Sequence, residues 1–210
     1  MGRRIAAFDF DGTLTRSDTV LPFLVRVCGR AKVARTLAQI APSAGRARLS
    51  TATGALHHRD ATKAAVLRQL FRGEDPTRVA SQGAAYAHTL IDRLRPAMVR
   101  QLDWHRLAGH ELIIVSASLM AYLAPFAHEQ GLHHVIGVEL EVGTDGLLTG
   151  AMVGPNVRGE EKAVRLRAWL DGQEPDALWA YGNSSGDREL LAMATHPVWV
   201  ASGRSGRPPS

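Results

Sequence analysis

The chain has 210 residues, enough for one α/β domain with an insertion or for two small domains. Its 45% hydrophobic and 21% charged residues are those of a folded globular protein, which excludes a chain disordered throughout and a fibrous one. A formal net charge of +5 permits an anionic partner without requiring one, and the single cysteine, Cys28, excludes an internal disulfide and any Cys-based zinc or iron–sulfur centre.

Met1-Gly2-Arg3-Arg4 has the basic character of a signal-peptide start, but Asp9 and Asp11 interrupt the apolar run that should follow. Position 6 is Ala, not the Ser or Thr that myristoylation favours. Leu112 to Ala127, the longest segment free of acidic and basic side chains, histidine included, is shorter than the ~20 residues of a spanning helix and contains Pro125. A soluble cytoplasmic protein is expected, with no membrane partner.

Arg4 to Phe10 reads as a buried strand that ends at Asp11-Gly12. From Thr19 to Arg100 the pattern turns helical. Val20, Leu21, Leu24 and Val25 recur at helical spacing, as do Val66, Leu67, Leu70 and Phe71, with Asp60 as a helix start and Gly73 as a stop. Asp75-Pro76 opens another helix, whose apolar side carries Val79, Ala87, Leu90, Ile91 and Leu94. Ser43 to Leu56 reads as a flexible connection. Strand-like runs return at Glu111–Ser116 and Val135–Val142, and Thr144-Asp145-Gly146 predicts a hairpin into Leu147–Val153. Glu160–Leu170 is helical, Leu178–Tyr181 a strand, Gly186–Ala194 a helix and Val198–Val200 a last strand. Strands and helices alternate at both ends around a helical block. The expected fold is therefore α/β, a parallel-sheet core at 1–16 and 101–200 with an inserted all-helical cap at 17–100, and a disordered tail at 201–210.

Four places carry chemistry. Asp9-Phe10-Asp11-Gly12-Thr13 puts two carboxylates at the C-terminal end of the first strand, where they repel each other unless a cation such as Mg²⁺ joins them. The competing reading is a solvated acidic loop. Ser116-Ala117-Ser118 ends the second strand and is either an anion-binding turn or a pair of helix caps. Lys162 sits in the first turn of a helix, against the helix dipole, so it is either an exposed lysine or one aimed into an anionic pocket. Gly182-Asn183-Ser184-Ser185-Gly186-Asp187 follows a buried strand and brings oxygen ligands to the same sheet edge.

In this order the four motifs resemble the haloacid dehalogenase superfamily, and within it the helical-capped phosphatases similar to phosphoserine phosphatase. The likeness runs through Phe8 to Thr15, Ser116 to Ser118, Lys162, and Gly182 to Asp187, and spans nearly the whole chain. It implies a Rossmann-like hydrolase core, Mg²⁺, and an aspartyl-phosphate intermediate formed from a small phosphorylated metabolite. By resemblance Asp9 is the nucleophile and Asp11 the acid and base. Ser116 and Lys162 complete the catalytic set, and Gly12, Thr13 and Ala117 flank the phosphoryl group. The metal would be held by Asp9, the carbonyl of Asp11, and Asn183 or Asp187. Many relatives carry Asp at position 183, so this chain has one negative charge fewer there. Asp18 stands where phosphoserine phosphatases carry a Glu that meets the substrate ammonium; it serves that role or caps a helix.

A phosphotransferase or mutase using the same intermediate, and a regulatory protein that only binds an acidic partner, are the alternatives. Nucleic acid is not an expected partner. His57-His58 and His133-His134 have no fitting ligand partners, Cys28 reads as buried and inert, and Trp104, Trp169, Trp179 and Trp199 as packing residues.

Overall fold

Ile5, Ala6, Ala7 and Phe8 form an apolar run with no polar residue between them. Such a run suits a strand covered on both faces, and all four are fully buried. In the computed structural model, which describes residues 2–47 and 52–201, this strand, β1 (Arg4–Phe8), is the middle of a five-stranded parallel sheet. It pairs on one side with β2 (Glu111–Leu119), from Ile5 beside Glu111 to Phe8 beside Ile114. On the other side it pairs with β6 (Ala177–Gly182), from Arg4 beside Ala177 to Phe8 beside Tyr181. β3 (His134–Val138) lies outside β2, and β7 (His196–Trp199) outside β6. The chain thus runs outward from β1 on one side and returns on the other. The strand order therefore reverses between β1 and β6, and the C-terminal ends of strands at such a reversal are the usual ligand position in these sheets. The helices α5 (Pro96–Leu107), α6 (Met120–Glu129), α7 (Glu160–Leu170) and α8 (Arg188–Ala192) connect the strands.

Met1–Thr19, Gly83–Val138 and Val157–Ser210 make up one compact unit, and Val20–Gln82 with Glu139–Asn156 a second. These boundaries differ from the expected 17–100 insert in two ways. First, residues 83–100 belong with the sheet. Arg95 N–H donates to the Leu14 carbonyl at 2.8 Å and Arg16 N–H to the Arg93 carbonyl at 2.9 Å. Gly83 approaches α6 so closely that a Cβ there would lie 2.0 Å from the Ala121 carbonyl oxygen. Second, the predicted hairpin belongs with the helices, so the second unit is not all-helical.

That second unit holds α1 (Val20–Cys28), α2 (Arg30–Ala47), α3 (Ala52–Phe71), the start of α4 (Pro76–Ala87), and the hairpin β4 (Leu140–Val142) with β5 (Leu148–Met152). Phe23, Leu24, Leu67, Leu70 and Phe71 form its core. The hairpin docks through main-chain bonds, Gly73 N–H to Leu148 O at 2.8 Å and Leu148 N–H to Glu74 O at 2.9 Å. Asn156 closes it, accepting from Lys63 at 2.6 Å and donating to Asp60 at 2.7 Å.

Several local readings change. Asp60 does not start a helix; it lies inside α3 and meets Asn156. Asp75 does cap α4, accepting from Thr77 N–H at 2.8 Å. After Ala87 the helix tightens to a three-residue turn over His88–Arg93, which changes the angular step per residue and turns Ile91 out to 50% exposure. The run Val135–Val142 divides at Glu139, half in the sheet and half in the hairpin. Of the segment Ser43–Leu56, residues 43–47 and 52–56 are helical and 48–51 lie outside the described residues, as do 202–210 of the tail. Cys28 is half-buried rather than buried. No helix among the described residues is long and apolar enough to cross a membrane.

Candidate active site

Asp9 follows the last residue of β1, and its N–H donates to the Tyr181 carbonyl of β6 at 2.9 Å. The carboxylate is buried with both oxygens engaged. Oδ1 accepts from Lys162 Nζ at 2.6 Å and Oδ2 from the Thr13 hydroxyl at 2.9 Å. The loop from Phe10 to Leu14 closes wide, with Thr15 N–H on the Phe10 carbonyl at 3.0 Å. Gly12 takes φ +79°, and a Cβ there would fall 2.2 Å from the Asn183 carboxamide nitrogen. The positive φ favours glycine there, and a Cβ would displace the Asn183 carboxamide.

Lys162 is only 2% exposed, which excludes the solvated-lysine reading. Besides Asp9 it donates to Asp187 Oδ1 at 2.6 Å. Two carboxylates around one ammonium account for a lysine in the first turn of α7. Asp187 Oδ2 accepts from Asn183 N–H at 3.1 Å, Ser184 N–H at 2.9 Å and the Ser184 hydroxyl at 2.8 Å. The carboxylate of Asp187 is thus wholly committed to protein donors, and it organises the loop after β6.

Burial pushes the Asp9 carboxyl up, the Lys162 charge pulls against it, and the Asp187 charge adds to the rise. Burial works against the Lys162 charge, but the two carboxylates outweigh it and hold the ammonium above its ordinary range. Asp187 also resists burial, and Lys162 with the Ser184 bonds brings its carboxyl below the ordinary range.

Asp11 points elsewhere. Its Oδ1 accepts from Thr19 N–H at 2.7 Å and the Thr19 hydroxyl at 2.6 Å, and its Oδ2 from the Ser118 hydroxyl. Burial pushes this carboxyl up to about 6, against those bonds and with the charges of Asp18 and Asp9 adding to the rise. A carboxyl near 6 is suited to giving and taking a proton at neutral pH.

Neither serine at the end of β2 caps α6, whose first turn follows Leu119 without a side-chain cap. Two residues apart on the strand, the serines share one face of β2, and both are buried. Ser116 accepts from Ser118 N–H at 3.1 Å and retains its hydroxyl proton as a donor. Ala117 lies between them and is half-buried. Asp18 is exposed. Thr19, Ser118, Tyr122 and Ser184 were not among the expected site residues. Ser118 and Tyr122 act by reaching groups more than a hundred positions away, which no local pattern marks, whereas Ser184 bonds Asp187 three residues on in a capping box that the sequence could have shown.

Magnesium suits this arrangement. The Asp9 carboxylate, the main-chain carbonyl of Asp11 and the Asn183 carboxamide are hard oxygen donors on adjacent loops, and Asn183 packs directly on Gly12. Magnesium is commonly held by one or two carboxylates together with substrate phosphate and water. Among the described residues no three His, Cys, Asp or Glu side chains gather as a metal cage. That accords with a site carrying Asn at position 183 and with Asp11 and Asp187 turned to protein donors.

Residues 6–192 match the haloacid dehalogenase-like hydrolase family. Protein CicA of Caulobacter vibrioides is 35% identical over 194 residues, 90% of this chain and 82% of that protein. The histidinol-phosphatase of Neisseria meningitidis serogroup C is 31% identical over 120 residues, 54% of each chain. The phosphoserine phosphatase of Halobacterium salinarum is 31% identical over 199 residues, 93% of this chain and 85% of that protein. With its parallel Rossmann-like sheet and four motifs at one edge, the chain belongs to the haloacid dehalogenase-like hydrolases and resembles the phosphoserine phosphatases among them.

Proposed function

We propose that the protein is a Mg²⁺-dependent phosphatase that cleaves a small phosphorylated metabolite through an aspartyl phosphate on Asp9. The observation that carries this reading is the buried trio of Asp9, Lys162 and Asp187. A binding protein has no need of a buried carboxylate held in place by a lysine and a threonine, whereas a nucleophile does. The names of the relatives support a phosphomonoester substrate and leave its alcohol open.

In the first step an Asp9 oxygen attacks phosphorus, the bond from phosphorus to the ester oxygen breaks, and Asp11 gives its proton to the leaving alkoxide. In the second, water attacks phosphorus, the bond to Asp9 breaks, and Asp11 takes the proton from water. Thr13 keeps the Asp9 carboxylate oriented. Lys162 offsets the repulsion between that carboxylate and a phosphate dianion. The Ser116 hydroxyl and the N–H groups around Gly12 and Ala117 receive phosphoryl oxygens. Magnesium, when bound through Asp9, the Asp11 carbonyl and Asn183, supplies further positive charge against the phosphoryl oxygens. Asp187 acts by positioning Lys162 and the loop of Asn183. The unit containing α1 to α3 and the hairpin serves as the cap that selects the substrate, and Asp18, two residues before α1 in the chain, is a candidate partner for an ammonium group.

Asp9→Asn tests the reading. Inorganic phosphate release from a metabolite panel with Mg²⁺ should fall to background while the circular dichroism spectrum is kept. Full turnover by purified Asp9→Asn protein would overturn it.

A further inference from the structure

The charge of the protein is unevenly placed. The unit of α1 to α3 and the hairpin holds 11 Lys and Arg against six Asp and Glu, and the rest of the chain holds 14 of each, so the whole excess of +5 lies in that unit. From Thr19 to Arg59 there are seven Lys and Arg and no Asp or Glu. The acidic residues of its helical part are already engaged: Asp60 by Asn156, Glu74 by Lys32 and Arg78, and Asp75 by Thr77 N–H.

Lys32 reaches the Leu70 carbonyl at 2.8 Å and Gln39 bonds Gln69, so α2 and α3 pack antiparallel with the two glutamines at their seam. The 3.6-residue turn puts Arg30, Ala31, Ala34, Arg35, Leu37 and Ala38 on the outer side of α2, and all six are exposed. The outer side of α3 carries Ala61, Ala65 and Arg68, with Arg72 just past its end, and these are exposed as well. Arg35 lies one turn before Gln39 and Arg72 one turn after Gln69, which sets the two beside each other across the seam. Among the described residues none of the four guanidinium groups, Arg30, Arg35, Arg68 and Arg72, makes an ion pair or a hydrogen bond.

The face therefore offers unpaired cations separated by alanines and by Leu37, itself 39% exposed. Nucleic-acid phosphates are met between such cations by hydroxyl, amide and main-chain donors. Alanine and leucine side chains offer none, and they suit the boundary between lipid headgroups and acyl chains. At the hairpin border a cavity of about 530 Å³ lies beside Arg68 and Arg72. It is lined also by Leu147, 38% exposed, and by Asp145, whose Oδ1 accepts from Leu147 N–H at 3.0 Å.

We propose that the outer face of α2 and α3 docks the protein on a membrane surface rich in anionic phospholipid, with Arg30, Arg35, Arg68 and Arg72 on the phosphate headgroups and Leu37 beneath them. The contact is peripheral, so it needs no spanning helix, and none is found among the described residues. It is independent of the phosphatase reading.

Co-sedimentation with vesicles tests it, using phosphatidylcholine alone and equal parts of phosphatidylglycerol and phosphatidylcholine. The parent should bind the anionic vesicles, leave the neutral ones, and be released as salt is raised. Each arginine at such a surface contributes about fivefold in partitioning, so Arg35→Gln with Arg72→Gln should bind about 25-fold more weakly. Arg100→Gln with Arg167→Gln removes the same charge from exposed positions of the other unit and should bind as the parent does. Leu37→Ser should also weaken binding, a loss that a contact made by charge alone does not show. Thermal melts establish that each variant is folded, as expected for exposed side chains without partners. No binding to the anionic vesicles, equal losses from the two arginine pairs, or unchanged binding by Leu37→Ser would overturn the proposal. Duplex DNA bound more tightly than the anionic vesicles would overturn it too, and would give the face to nucleic acid.

Discussion

Lys162→Met isolates the electrostatics of the site from its chemistry. Asp9, Asp187 and Lys162 are 6%, 1% and 2% exposed, and with both carboxylates ionised the trio carries one net negative charge. Methionine keeps much of the side-chain length and removes the ammonium, so the buried charge rises from −1 to −2. Deleting one partner of a buried ion pair costs about 3–5 kcal/mol. In a chain of 210 residues each kcal/mol corresponds to about 2–4 °C, so Tm should fall by about 6–20 °C at pH 7 in EDTA. A second change distinguishes charge from packing. Lys162→Met with Asp187→Asn returns the buried charge to −1, and the double variant should be more stable than the single by about 0.5–3 kcal/mol. Recovery is partial, because Asn cannot replace every bond that Asp187 accepts from Asn183 and Ser184. Thermal melts and urea unfolding of the three proteins give the comparison. A loss below about 1 kcal/mol in the single variant, or a double variant less stable than the single, would refute the reasoning.

Asn183→Asp restores a negative charge beside Gly12 and should tighten Mg²⁺ binding in a calorimetric titration; unchanged or weaker affinity would place the carboxamide off the metal. Gly12→Ala puts a side chain at φ +79° and against Asn183. It should cost about 1–2 kcal/mol in urea unfolding and weaken Mg²⁺ binding as well, and a variant like the parent in both would contradict the geometry. His105 is fully buried, and burial, with the His110 charge adding to it, pushes its ring down to about 4. Because this folded value lies below the unfolded 6.5, the stability it contributes is complete above pH 6.5 and is lost as pH falls toward 4, by up to about 3 kcal/mol. His105→Gln should therefore lose less stability than the parent between pH 7 and 4.5, and parallel urea curves for the two would exclude that role. Asp18→Ala should raise KM selectively for amine-bearing phosphoesters if Asp18 meets an ammonium group, and equal KM values for parent and variant on amine-bearing and amine-free esters would exclude it.

Much of the sheet was legible because its strands are short apolar runs punctuated by glycine and by acidic turns. The helix from Glu160 to Leu170 has the bounds that its glutamates and apolar spacing predict. Three of the four motifs of the candidate site were readable for a related reason: each lies at the end of a buried strand, and a parallel sheet places such ends along one edge. What escaped depends on distance in the chain. Ser118 reaches Asp11 across 107 positions, a contact between two strand ends that no local pattern encodes. The burial of Lys162 could not be seen before Asp9 and Asp187 were brought together. The hairpin was found, but not its attachment to α3, because the Gly73–Leu148 contact is made by main-chain atoms whose pairing side chains do not specify.

The central position of β1 also governs how the chain is assembled during synthesis. Ile5 pairs with Glu111 and Leu178, which follow it by 106 and 173 positions. At about 5–20 residues per second, translation delivers the second partner about 9–35 s after the first strand has been made. For that interval an apolar segment, Ile5 to Phe8, has at least one open edge, and it cannot close on itself. A nascent chain halted before Ala177 would expose the same edge permanently and should aggregate. A circular permutant opened at Gly109, with the natural ends joined by a flexible linker, would bring β1 and β6 closer in translation order and should refold faster than the parent.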